Sequence, residues 1–317
     1  NRMPETGSKY RYLYGPVPAR RLGRSLGIDL VPYKICSYNC TYCQLGETTN
    51  LTIERRPYTP ASDIIAELEC WMREDGDADY LTLSGSGEPT LNSEIGQVIE
   101  FVRSHTEIPI ALITNGTLLW DSDLRAEIHD LDLIVPSLDA ALEDIWLQVD
   151  RPAEGLDLQQ TIDGIAQARR ECRGRMWLEV LLVAGVSDSD EHLAALRHAI
   201  DQIGPDLVQI NTVVRPPAQT RARPLSPKRL HHALEMLGPN AEIIAPVPEN
   251  SMVRESHKQT TDAVLELLKR RPCTIADVAI GLSIHPSEVI KHIQILLTNE
   301  RIRPLDGDGP TFYVAES

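Results

Sequence analysis

The chain has 317 residues, 42% of them hydrophobic, enough for one large α/β domain with a small appendage. A formal charge of −15 argues against a general nucleic-acid binder, because phosphate backbones call for a basic surface. No apolar run approaches a membrane span and no secretory leader is evident, so the expectation is a cytoplasmic protein with reduced thiols and no membrane partner.

In chain order, residues 6–28 hold no Asp or Glu but carry Lys9, Arg11, Arg20, Arg21 and Arg24. Such a stretch suits an anionic substrate group, and equally a solvated basic arm. A strand is expected over 27–31, leading into Cys36-Ser-Tyr-Asn-Cys40-Thr-Tyr-Cys43. Three thiolates can hold three irons of a 4Fe–4S cube and leave the fourth iron open to a ligand, whereas four thiolates suit electron transfer. Cys36, Cys40 and Cys43 are therefore the candidate metal ligands and the candidate catalytic centre. A structural zinc site needs a fourth ligand, usually from a second Cys or His pair, and Cys70, Cys172 and Cys273 stand singly. Packing and disulfide pairing remain the other readings.

Helical periodicity then alternates with short β-type runs. Helices are expected over 62–72, 95–105, 121–129, 158–172, 191–203 and 227–237, and strands over 80–84, 110–114, 133–136, 177–183 and 207–210. Six strand–helix repeats imply a parallel sheet with helices outside, curled by right-handed crossovers into a partial (βα)6 barrel. Chemistry in such folds lies at the C-terminal strand ends. Polar residues cluster there: Gly87 and Glu88, Asn115, Ser137 and Asp139, with Arg151 farther on. Ordinary loop capping explains them equally well. Glu179 reads mainly as part of a core strand, while Gln209 and Asn211 alternate on one strand face as low-weight substrate contacts.

Past residue 250 the pattern changes. Helices over 260–270 and 275–282, a third from Pro286, and strands over 301–305 and 311–314 about a 306–309 turn resemble a winged helix-turn-helix. This sets domains at 1–256 and 257–317. The second holds seven Lys/Arg against eight Asp/Glu, and its third helix offers only Lys291 and His292 as cations. That favours contact with a protein or peptide, or a lid over substrate, above DNA.

The cysteine loop, with Tyr42 before its last cysteine, resembles that of the radical S-adenosylmethionine (radical SAM) enzymes. The run from Tyr14 to Gly27 and the run from Cys40 to Gly46 are similar to a stand-alone group of them related to the wyosine-forming tRNA enzyme. The resemblance spans roughly residues 10–250. It implies a 4Fe–4S cluster, SAM, an external one-electron reductase and reductive cleavage to a 5′-deoxyadenosyl radical. The radical would take hydrogen from an unidentified small molecule, peptide or protein. By the same resemblance, Gly87 and Glu88 hold the methionine ammonium, with Ser86 where the family has its first glycine. It places Asn115, Ser137 and Asp139 against the SAM ribose or carboxylate or in the substrate pocket, and Arg151 on the carboxylate. The tRNA enzyme's archaeal form has further N-terminal cysteines, and none precedes Cys36. A tRNA-modifying enzyme is thus the second reading, and an iron–sulfur DNA-binding redox sensor the third.

Overall fold

In a computed structural model of the chain, eight strands form one sheet in the order β1-β2-β5-β6-β7-β8-β9-β10. They are β1 (Leu13–Ala19), β2 (Gly23–Asp29), β5 (Tyr80–Ser84), β6 (Ile110–Thr114), β7 (Leu133–Pro136), β8 (Arg175–Leu182), β9 (Leu207–Thr212) and β10 (Ala241–Ile243). From β2 to β10 all neighbours are parallel, and only β1 is antiparallel. A short parallel pair, β3 (Ile35–Cys36) and β4 (Asn50–Leu51), braces the cysteine loop. The structure describes residues 10–19, 21–74, 76–214, 217–245, parts of 261–268, and 273–316 apart from 283, 285 and 306–310. Lys9, Arg20, the expected boundary at 256/257 and the 306–309 turn lie outside them.

The helices between parallel strands are α1 (Ala61–Glu74), α2 (Ile95–His105), α3 (Ser122–Ile128), α4 (Glu143–Val149), α5 (Leu158–Glu171), α6 (Asp190–Ile203) and α7 (Pro227–Leu237). Their starts follow local chemistry. Asp121, Asp157, Ser189 and Ser226 each cap a helix by accepting from an amide two or three residues on. Gly204, at φ +65°, ends α6 in the left-handed region.

The alternation of β8 separates the two sheet faces. Met176, Leu178, Val180 and Leu182 are buried, while Trp177, Glu179 and Leu181 on the other face are only half-buried. The first set belongs to the main apolar core with the helices. The second face carries a smaller cluster of Leu22, Ala111, Leu133 and Val135, joined by Tyr80, Ile113 and Trp177. Arg21, in the β1–β2 turn, reaches Glu179 of β8 and Gln209 of β9. These contacts cross from near one sheet edge to near the other, so the sheet is curled and this face is concave.

Three elements depart from expectation. The basic stretch is not simply an arm: β1 and β2 make an antiparallel hairpin, and β2 begins at Gly23 and ends at Asp29. The short helix α4 and the edge strand β10 add to the expected set.

In the C-terminal part, helices Ile275–Leu282 and Pro286–Thr298 and the antiparallel pair β11 (Ile302–Leu305) and β12 (Phe312–Ala315) share an apolar cluster of their own. Thr261, Ala263–Leu265, Leu267 and Leu268 are helical within the expected first helix. His292 is 2% exposed and bonds Thr261 Oγ1 at 2.8 Å, while Lys291 pairs with Glu288. His292 is thus turned into the unit's interior, and Lys291 is paired within its own helix.

His192, buried in α6, is a structural histidine. Nδ1 donates to the Ser187 carbonyl at 2.7 Å, and Nε2 accepts from the Ala141 amide at 3.0 Å. Burial lowers its pKa, so at this site the folded chain binds fewer protons than the unfolded one. The contribution of this site to stability is then lost as pH falls below the unfolded value of about 6.5. His192→Ala is expected to cost about 1–3 kcal/mol at neutral pH, through two unpaired backbone groups. The urea midpoint is expected to fall more at about pH 7.5 than at about pH 5.5 in this variant, relative to the native chain.

Candidate active site

The cysteine loop follows β2 at the C-terminal ends of the strands, and two backbone bonds stitch it to the β5 turn. Lys34 N donates to Ser86 O at 2.9 Å, and Glu88 N donates to Ile35 O at 3.0 Å. Between them Gly87 is forced to be glycine: a Cβ there would sit 1.9 Å from the Ile35 carbonyl oxygen. Gly87→Ala is expected to pry the loops apart. We expect a cost of about 1–3 kcal/mol, read as a lower urea midpoint together with reduced iron uptake.

Ser86 has its own task. Its amide donates to Asp29 Oδ1 at 3.1 Å, and its hydroxyl donates to Oδ2. Burial pushes the Asp29 carboxyl up to about 6 against these donors. The end of β2 thereby holds the turn in which Ser86 stands.

Glu88 is 2% exposed. Its Oε1 accepts from Thr90 N (3.1 Å), Thr90 Oγ1 (2.6 Å) and Thr114 Oγ1 (2.6 Å), and Oε2 accepts from Asn115 N (2.7 Å). The carboxylate fastens the β5 turn to the end of β6. Asn115 carries the linkage on: Nδ2 donates to Ser37 Oγ at 2.8 Å and to Cys36 Sγ at 3.6 Å.

The opposite side of the loop rests on α4 and the segment after it. Thr41 N donates to Val149 O at 2.8 Å, and Asn39 N to Asp150 O at 2.9 Å. Trp146 Nε1 donates to Tyr38 Oη at 2.8 Å, with the two rings edge to face at 6.1 Å. Tyr42 donates to Asp139 Oδ2, and Asp139 Oδ1 accepts from Leu181 N at 2.7 Å. Burial pushes the Asp139 carboxyl up to about 7. Ser137 is half-buried and pairs with Glu179 across β7 and β8. Arg151 sits at φ +47° and Lys34 at φ +58°, the left-handed region where non-glycine residues are strained. Both flank the cysteine loop. Tyr42, Gly87, Glu88, Asn115, Asp139 and Arg151 thus meet around the cysteine loop, with Tyr42, Glu88 and Asp139 acting visibly as fasteners, whereas Ser137 faces Thr114 and Glu179. Asp29, Ser37, Tyr38 and Trp146 join them unforeseen. Asp29 fell inside the strand expected over 27–31, and only the structure ends β2 there.

The donor set fits an iron–sulfur cube and SAM. All three cysteines are free and half-buried. Burial, then the Glu88 carboxylate, pushes the Cys36 thiol up to about 12, and burial followed by Asp150 lifts Cys40 well above the usual range. Such thiols ionise only against strong positive charge, which a coordinating metal supplies. Among the described residues no group of three or more His, Cys, Asp or Glu converges on one metal-ion position. A lone zinc needs that convergence, whereas a cube takes each thiolate on a different iron. Arg151 donates through Nε to Asn39 O at 2.6 Å, and its buried Nη2 has no partner among the described residues. That nitrogen suits a carboxylate. Cys172 and Cys273 are buried apart from this loop, as ordinary thiols.

Comparison with known proteins agrees. The profile of the family described as "Radical SAM superfamily" matches residues 30–197. A Brachyspira hyodysenteriae protein named "GTPase Obg" is 34% identical over 96% of this chain, which spans 45% of that protein's length. The 317 residues contain no Gly-Lys pair, and so no GxxxxGK[ST] phosphate loop. A UPF0026 protein of Synechocystis is 35% identical over 71% of this chain and 80% of its own length. Among solved structures, a radical SAM methyltransferase from Sphaerobacter thermophilus shares the fold at a TM-score of 0.56 and 21% identity, over 73% of this chain and 68% of its own. TYW1 with a lysine-pyruvate adduct bound does so at 0.50 and 16%, over 68% of this chain and 72% of its own. With the Synechocystis protein the chain belongs to the UPF0026 group, and through residues 30–197 it belongs to the Radical SAM superfamily, enzymes whose cofactors are a 4Fe–4S cluster and S-adenosylmethionine.

Proposed function

We propose that the chain is a single-cluster radical SAM enzyme acting on a molecule seated on the concave face of the sheet, a partial (βα)6 barrel. The observation that carries this reading is the double fastening of the cysteine loop, to Ser86–Glu88 on one side and to 149–151 on the other. Cys36, Cys40 and Cys43 would hold the cluster. When bound, cluster and SAM supply reductive carbon–sulfur cleavage to a 5′-deoxyadenosyl radical, with the electron from an external reductase.

The chain's own residues position and polarise. Asn115 donates to Cys36 Sγ and so orients a ligand from outside the metal shell. Arg151 Nη2 offers the donor for the SAM carboxylate. Gly87, with no side chain, lets the β5 turn come close to the cysteine loop. Glu88 keeps that turn and Asn115 in register, and its saturated carboxylate makes positioning its main part. Ser137, Glu179 and Asn211, on the concave face, are the nearest set for a substrate. The C-terminal helices and the β11–β12 pair, read as a winged helix, would dock a peptide or protein or cover the substrate.

The test is anaerobic reconstitution followed by SAM and dithionite, with 5′-deoxyadenosine measured. Nucleoside formation that requires the cluster supports the reading. A reconstituted chain that binds iron and sulfide yet leaves SAM intact would overturn it.

A further inference from the structure

The concave face carries a cation that the site above does not use. Its floor is the apolar layer of Leu22, Ala111, Leu133 and Val135. The next inward row toward the strands' C-terminal ends is polar: Ser137 pairs with Glu179, Glu179 with Gln209, and Gln209 with Glu242. Arg21 enters this row from the β1–β2 turn. Its Nη1 donates to Glu179 Oε2 at 2.8 Å and to Gln209 Oε1 at 2.7 Å. The partners are themselves held: Asn211 Nδ2 donates to Glu179 Oε1 at 3.0 Å, and Gln209 Nε2 to Glu242 Oε1 at 2.9 Å.

Nη1 therefore makes the close contacts with both partners. Nε and Nη2 form no hydrogen bond with the described residues, and the side chain keeps 22% of its surface exposed. An arginine serving only to close a sheet would spend its fork on the carboxylate, through two parallel bonds. Here Nε and Nη2, one edge of the fork, are left without a hydrogen bond among the described residues, beside Glu179 of β8 and Gln209 of β9. That edge matches the two oxygens of a carboxylate or phosphate. Glu179 is neutralised by Arg21, and Glu242 lies at the exposed rim where solvent screens it.

We infer that Arg21 anchors an oxyanion, carboxylate or phosphate, of the substrate on the concave face. The inference deepens the proposed function and rests on it for the word substrate. Glu179 and Gln209 are positioning residues that aim the guanidinium.

The test titrates the full chain, with and without cluster, by calorimetry. The probes are glutarate, inorganic phosphate and neutral glutaramide. The native chain is expected to bind one of the two anions at least tenfold more tightly than glutaramide, and which one names the source. Arg21→Gln is expected to lose that preference and Arg21→Lys to keep part of it. Glu179→Gln is expected to strengthen it, because Arg21 then sheds its internal carboxylate. A purely structural ion pair predicts the same loss from both sides. Equal anion binding by Arg21→Gln, or no preference in the native chain, overturns the inference. If Arg21→Gln does not fold, Glu179→Gln decides: unchanged or weaker anion binding also overturns it. Failure of the enzymatic reading is seen separately, as absent cluster or absent 5′-deoxyadenosine, because the anion titration also runs on cluster-free protein.

Discussion

Cys40→Ala is expected to abolish iron–sulfur incorporation and to reduce 5′-deoxyadenosine formation more than about 100-fold. The bound follows from the outer partners of metal sites, whose loss alone typically costs about 10–100-fold in affinity. A direct ligand must exceed that. The loop geometry explains why no neighbour substitutes. Cys36 and Cys43 are anchored on different parts of the loop, Cys36 in the β3–β4 pair and Cys43 in a turn onto the Cys40 carbonyl. Cys70, Cys172 and Cys273 lie outside the loop. Alanine leaves the local backbone bonds in place, so folding is expected to survive, and the urea midpoint is the control. Asn115→Ala gives the graded comparison. It removes the donor to Cys36 Sγ and is expected to weaken cluster retention by about 10–100-fold, without abolishing it. Nucleoside formation in Cys40→Ala at the native rate would sink the ligand assignment.

The candidate cluster ligands could be named from the sequence because cysteine spacing needs no tertiary context. The helices at 95–105 and 227–237 and the strands at 80–84, 110–114 and 133–136 were legible too, since periodicity and caps are local signals. Other features were not. Hairpin β1–β2 runs through Gly15, Pro16, Pro18 and Gly23 and is rich in cations, which hides an edge strand behind loop-like composition. Helix α4 spans seven residues from a leucine with no side-chain cap, too short for periodicity to register. The bond between Trp146 and Tyr38 joins positions 108 residues apart, and that between Ser86 and Asp29 joins positions 57 apart. Only the folded sheet brings such pairs together. The place of Glu88 was half legible. The sequence marked the residue, but the direction of its carboxylate, into the protein, depends on Thr114 and Asn115 arriving from another strand.

That direction yields the second large effect. Glu88→Ala is expected to destabilise the chain by about 2 kcal/mol or more, since each buried donor left unpaired costs about 1–3 kcal/mol. Four donors converge on the carboxylate, and Thr90 and Thr114 are 0% and 3% exposed. The two hydroxyls can rotate toward other acceptors. The amides of Thr90 and Asn115 cannot, because the backbone fixes them, so these two set the minimum. Glu88→Gln keeps the shape and one acceptor oxygen. If that oxygen faces Thr90 and Thr114, the new amide confronts the Asn115 N–H, donor against donor. A cost of roughly half that of alanine is expected. The loss at Asn115 then propagates to the cluster ligand it holds, so iron retention is expected to fall in the order native, Gln, Ala. Urea denaturation measures the first effect and iron content after reconstitution the second. A Glu88→Ala chain within about 0.5 kcal/mol of native, the range of a neutral surface change, would mean the carboxylate is not the fastener. Parallel loss in both measurements ties the β5 turn, the end of β6 and the cysteine loop into one mechanical unit.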